Sequence, residues 1–97
     1  MGFRIRWAPR AVSHLGQICK YISQDSGTYA RIFAKKVLSI AEDIPSFPKA
    51  GRVVPEYNDE NLRERIYGNY RIVYRLKEGF VEITAICHGS QLLERIL

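Results

Sequence analysis

Phe3, Ile5 and Trp7 alternate with Arg4 and Arg6 at the start of the chain, the period of a half-buried strand. Pro9 follows, in the position that suits a first helical turn. Val12, Leu15, Ile18/Cys19 and Ile22 then recur every three or four residues and predict an amphipathic helix over about 9–24. Asp25-Ser26-Gly27 interrupts it and offers a cap for a second helix over about 28–44, marked by Tyr29, Ile32/Phe33, Val37, Ile40/Ala41 and Ile44. Pro45-Ser46-Phe47-Pro48 ends the helical part. Residues 51–56 are extended but contain Pro55, so they predict a loop or an edge segment. Three strand-like runs close the chain, at 62–67, 70–77 and 80–88.

The last two runs test their own register. With Glu78-Gly79 as a two-residue turn, Leu76 meets Val81, Tyr74 meets Ile83, Ile72 meets Ala85 and Tyr70 meets Cys87, all on one apolar face. Arg75–Glu82, Val73–Thr84 and Arg71–Ile86 fall on the other. For the preceding hairpin, a two-residue Gly68-Asn69 turn puts Arg63 and Arg65 on the apolar face. A three-residue loop at 67–69 instead leaves Glu64 as the one misfit, and is preferred because two core-facing arginines cost more than one carboxylate. Arg63, Arg65, Arg71 and Arg75 would then share the sheet face away from the helices, a candidate surface for an anion or phosphate.

Composition narrows the class. Ninety-seven residues, 46% hydrophobic and 26% charged, make one globular domain over 1–97 and exclude a TIM barrel, a full dinucleotide-binding domain and a disordered chain. No apolar run approaches a membrane span of ~18 residues, and Arg4, Arg6 and Arg10 interrupt any signal-peptide core. Cys19 and Cys87 sit in apolar patterns without metal-ligand spacing, so they read as buried free thiols in a reducing cytoplasm. No metal or small-molecule cofactor is implied, there being neither a phosphate-cradling Gly-rich loop nor a ligand cluster.

The net charge of +5 is unevenly placed: residues 1–48 carry seven Lys plus Arg against three acids, residues 49–97 eight against seven. The excess lies on the strand–helix half, which favours an acidic protein partner there.

The stretches Pro9-Arg10-Ala11, Tyr21-Ile22, Phe47 to Glu56, Leu62-Arg63-Glu64, Gly68 to Arg75 and His88-Gly89-Ser90 run through nearly the whole chain. Their order and content, above all Gly-Arg-x-x-Pro-Glu followed by Tyr-Arg-Ile-x-Tyr-Arg, resemble the RelE/ParE superfamily of bacterial toxins. The resemblance implies an α+β fold: an N-terminal strand, a helical hairpin and an antiparallel three-stranded meander. It implies the toxin of a type II toxin–antitoxin module, neutralised by a cognate antitoxin that wraps it as helix and strand. An acidic antitoxin would meet Lys20, Arg31 and Lys35 on the helices and the edge beside residues 3–7.

The superfamily divides by target. RelE-like members cut mRNA on the ribosome; ParE-like members poison DNA gyrase. Metal-free RNA cleavage needs a base, a cation at the phosphate and an acid. Arg71 matches an arginine that nuclease members place near the phosphate, Arg63 offers a second clamp, and Glu56 or His88 offers proton transfer. This chain lacks the terminal Tyr of many nuclease members and has Gln91 where many carry Arg. It keeps only Lys49 and Arg52 of a basic loop. The loop and the His-Gly-Ser spacing look more like the ParE-type and plasmid-stabilisation branch. The expectation is therefore a gyrase-directed toxin with Arg52, Glu56, Arg65 and Arg75 on its target surface. The alternatives are a ribosome-dependent endoribonuclease using Arg63, Arg71 and His88, and a degenerate member that retains only antitoxin binding.

Overall fold

A computed structural model describes residues 4–91 and 93–97; Phe3 and Leu92 lie outside the described residues. The chain forms β1 (Arg4–Trp7), α1 (Pro9–Ser23), α2 (Gly27–Asp43), β2 (Arg52–Val53), β3 (Leu62–Tyr67), β4 (Tyr70–Lys77) and β5 (Phe80–His88), with short 3₁₀ turns at Ile44–Ser46 and Leu93–Arg95. One five-stranded sheet results, ordered β1-β5-β4-β3-β2. The 3–4–5 meander is antiparallel, and β1 returns beside β5 in parallel.

Local chemistry explains the helix limits. Pro9 opens α1, and the Ser26 side chain caps α2 by accepting the Tyr29 N–H at 3.0 Å. The inner faces of the helices, with Ala11, Phe33, Val37 and Ala41, and the following turn, with Ile44, bury Ile72, Tyr74, Val81, Ile83 and Ile86 of the sheet. A second, smaller core lies on the opposite side of the sheet. It joins Val54, Leu62, Val73, Ala85, Cys87 and Leu93.

That second core exists because of two departures from the expected register. Between Val73 and Tyr74 the β4–β5 ladder shifts by one residue. Tyr74 still faces Ile83, but Val73 faces Ala85 and Arg71 faces Cys87, which leaves Thr84 as the extra residue of a bulge. Past the bulge every β5 side chain changes face: Ile86 turns to the helices, Ala85 and Cys87 to the second core.

The β3–β4 connection is the two-residue Gly68-Asn69 turn, with Gly68 at φ +58°, and not the three-residue loop. Arg63 pairs with Tyr74 and Arg65 with Ile72, so both point to the helix side. The cost foreseen for them is avoided because β3 lies beyond the shelter of the helices and both side chains find acceptors. The four arginines therefore do not share a face: Arg71 and Arg75 lie on the outer face, Arg63 and Arg65 on the inner.

Candidate functional site

The outer face of the sheet centres on Glu64, which the sequence marks as a misfit. In the observed register it is aligned with Arg52 of β2. Its side chain is fully buried, and its two oxygens take different cations: Oε2 pairs with Arg52 Nε, and Oε1 accepts from Arg71 Nε at 2.6 Å. Arg71 then reaches Glu56, in the loop after β2, through two parallel bonds of 2.7 Å from Nη1 and Nη2. Arg52, Glu64, Arg71 and Glu56 thus form one alternating chain of charge over the second core. The bond to Arg71 holds the Glu56 carboxyl well down, at about 2, and the two carboxylates raise the Arg71 guanidinium further. Nearby, burial pushes the Cys87 thiol up.

Arg71 is therefore 5% exposed, with Nε, Nη1 and Nη2 all donating to carboxylates. Arg63 works on the other face, as a tie for backbone carbonyls: Nε donates to Glu60 and Nη1 to Gly51 and Lys49, at 2.9 to 3.3 Å. Arg65 lies 3.6 Å from Asp43 at the end of α2.

His88 ends β5 opposite Tyr70, whose ring packs against both Phe33 and the imidazole. That places His88 on the helix side, while Arg71, paired with Cys87, points the other way. The structure does not bring Arg63, Arg71 and His88 to one point.

Arg75 keeps its predicted outer position. It lies in a cross-strand row with Glu82 and Arg6, and its guanidinium is 3.8 Å from Asp59. Arg6 stacks on the Phe80 ring at 4.8 Å, and Arg4 is aligned with Phe80. The exposed arginines of this face are thus Arg4 and Arg6 of β1 and Arg52 of β2, with Arg75 of β4 half-buried and none from β3. On the helices, Lys20, Arg31 and Lys35 are exposed, as are the apolar side chains Val12, Tyr29 and Ile32. β1 is an edge of the sheet.

Two residues to which the sequence alone assigned no role at the site have clear ones. Glu64 carries a signal in retrospect: a lone carboxylate central in a strand needs cations, and the shorter turn is the register that supplies Arg71. His14 gives none, because its partner is a backbone amide 72 residues away: Nδ1 accepts the Ile86 N–H at 3.2 Å. Burial, with Arg10 adding to it, lowers the pKa of His14 from the usual 6.5.

A helical hairpin on one face of a mixed five-stranded sheet, with β1 returned parallel to β5, is the architecture of the RelE/ParE toxins. The chain belongs to the family described as "ParE toxin of type II toxin-antitoxin system, parDE", whose model matches residues 5–93. It is 30% identical over 90 residues to toxin RelE2 of Caulobacter vibrioides, a match covering 92% of this chain and 98% of the relative. It is 28% identical over 96 residues to the putative toxin Y4kP of Sinorhizobium fredii, covering 97% and 96%. Its fold superposes on a chain of the chromosomal ParDE toxin–antitoxin system of P. aeruginosa with a TM-score of 0.74 at 15% identity, over 89% of this chain and 95% of the other. A chain of the RelBE2 toxin–antitoxin complex of Mycobacterium tuberculosis gives 0.64 at 18% identity, over 91% and 99%. No helix among the described residues is long and apolar enough to cross a membrane.

Proposed function

We propose that this toxin inhibits growth by binding, in the manner of ParE, with DNA gyrase as its target and an acidic antitoxin as its neutraliser in the cytoplasm. The observation that carries this reading is the separation of the nuclease candidates. Arg71 is held between two carboxylates on the outer face, and His88 stands on the inner one. A phosphate at Arg71 would have to displace Glu56 and Glu64 from a buried guanidinium, an unfavourable exchange. Exposed Arg4 and Arg6, with half-buried Arg75 beside them and Arg52 at the far edge, remain as a basic surface for a nucleic-acid-associated target, and Arg65 contributes only from the other side.

The antitoxin reading is supported by the names of the structural neighbours, both toxin–antitoxin assemblies. Lys20, Arg31 and Lys35, beside exposed Tyr29 and Ile32, suit an amphipathic acidic helix, and the β1 edge suits an added strand.

Purified toxin tests the target directly. The expected result is inhibited supercoiling with accumulated gyrase–DNA cleavage complexes, and intact ribosome-bound mRNA. Cut mRNA with unaffected gyrase overturns the proposal in favour of the endoribonuclease. Normal growth on expression without antitoxin, with neither effect, points to a member retaining partner binding alone.

A further inference from the structure

A groove between α1 and the end of β5 is lined by both histidines, whose hydrogen bonds define their chemistry. β1 pairs with β5 only as far as Ile83. Beyond that point the edge of β5 faces α1, and its amides find side chains: Ile86 N–H donates to His14 Nδ1, and His88 N–H donates to Gln91 Oε1 at 2.8 Å. The His88 ring has an amide of its own, since Ser90 N–H donates to Nδ1 at 3.2 Å. An imidazole that accepts at Nδ1 while neutral carries its proton on Nε2. These amides select the Nε2–H tautomer, in which the Ser90 hydroxyl, 2.8 Å from His88 Nδ1, is also a donor, and both rings line the same groove of about 600 Å³, with Gln17, Tyr21, Tyr70 and Gln91 among its other walls.

We propose that this groove binds a phosphate-bearing nucleotide, with the two imidazole Nε2–H groups turned to phosphate oxygens and Tyr21 stacked on the base. Among the described residues, the lining holds two imidazoles, two carboxamides and two phenols among isoleucines, and no acidic side chain. The Gln91 carboxamide accepts from His88 through its oxygen, which leaves its NH₂ as a further donor. Tyr21 is 69% exposed on α1, so its ring has an open face for a base. Arg10, one turn before His14 on α1, donates to the main-chain oxygens of Ile96 and Leu97 and adds positive potential beside His14. A metal ion is disfavoured by the same tautomers, because a ligating imidazole needs its Nε2 lone pair. The volume falls within the usual range for a small-molecule site, ~300–1,000 Å³. The inference goes beyond the choice of toxic target and stands whichever enzyme the toxin inhibits.

Imidazole ¹⁵N–¹H spectra of the whole chain, titrated with adenosine 5′-monophosphate, adenosine or inorganic phosphate, test it. In the free protein both rings should show a bare Nδ1 and a protonated Nε2. The monophosphate should shift both Nε2–H signals more strongly, and at lower concentration, than adenosine or phosphate alone. Tyr21→Ala should weaken its binding about five-fold or more without changing Tm, as stacking on an exposed ring requires. Saturation by a 5′-phosphorylated trinucleotide at lower concentration than the mononucleotide would assign the ligand to a strand end; the reverse would assign it to a free nucleotide. Unmoved histidines at millimolar nucleotide, an unchanged affinity in Tyr21→Ala, or saturation by an acidic peptide where nucleotide fails would overturn the proposal.

Discussion

The Tyr74 hydroxyl accepts the Gly51 N–H at 3.1 Å and donates to the Pro48 carbonyl at 2.7 Å. One buried side chain of β4 thereby fastens the connection between the helices and β2. A Cβ at position 51 would collide with that hydroxyl and lie 2.7 Å from the Glu64 carbonyl. Gly51→Ala should destabilise the fold by roughly 1–3 kcal/mol, as overpacking does, and Tyr74→Phe by ~1–3 kcal/mol through the amide and carbonyl it strands. Because both changes act on one contact, the double variant should lose less than the sum. Urea denaturation of the four proteins measures this.

The charge chain on the outer face should respond asymmetrically. Arg71→Ala leaves Glu64 buried without that partner and should cost about 3–5 kcal/mol. Replacing the core of the network together, as Glu56→Gln, Glu64→Gln and Arg71→Met, should cost less than Arg71→Ala alone. A triple variant that proves the least stable would show that the ions contribute net stability.

Acid should act through Glu56 and His14. Glu56 has a folded pKa of about 2 against an ordinary 4.5, so its contribution is present above pH 4.5 and lost as pH falls toward 2. The linkage allows at most about 3 kcal/mol, less whatever solvent screens from a side chain that is 22% exposed. His14 is also lowered, so the unfolded chain takes up its proton first, and stability declines as pH falls below 6.5. Stability measured from pH 7 to pH 2 should fall in two stages. Glu56→Gln should flatten the lower stage and His14→Gln the upper one.

Thr84 is the extra residue of the β5 bulge. Its deletion should remove the bulge and leave Val73–Ala85, Ile72–Ile86 and Arg71–Cys87 paired as they are, so that Ile86 stays with the helices and Cys87 with the second core. The expected outcome is a retained cooperative fold, seen as a well-dispersed amide spectrum. A collapsed spectrum would show that the bulge itself is needed.

Antitoxin binding should carry an electrostatic signature. With the positive excess on residues 1–48, rising salt should slow association more than it speeds dissociation, as stopped-flow kinetics would show. Salt-independent association would argue against an acidic partner.

The elements themselves were legible in the sequence. The helices and the three long strands follow from periods of 3.6 and 2, and their observed limits, Pro9–Ser23, Gly27–Asp43 and 62–67, 70–77 and 80–88, lie close to the expected ones. What pairing decides was not legible. Weighing two inward arginines against one inward carboxylate favours the longer loop only if inward means buried. Arg63 and Arg65 escape that premise by reaching loop carbonyls and Asp43. A bulge leaves no mark in an alternating pattern when both faces are apolar, as Val73, Ala85 and Cys87 make them. The candidate site suffered from the same two shifts, since they decide that Arg71 and His88 look in opposite directions.

The Arg52–Glu64–Arg71–Glu56 chain also bears on how this toxin can change over time. Two cations and two anions cancel, so the four positions add nothing to the net +5, yet the loss of a central member strands a partner in the interior. Such positions are expected to be inherited as a block. A lineage that gives up Arg71 should have replaced Glu64 as well, leaving an apolar patch in place of the ions, and intermediates with only one of these changes should be rare.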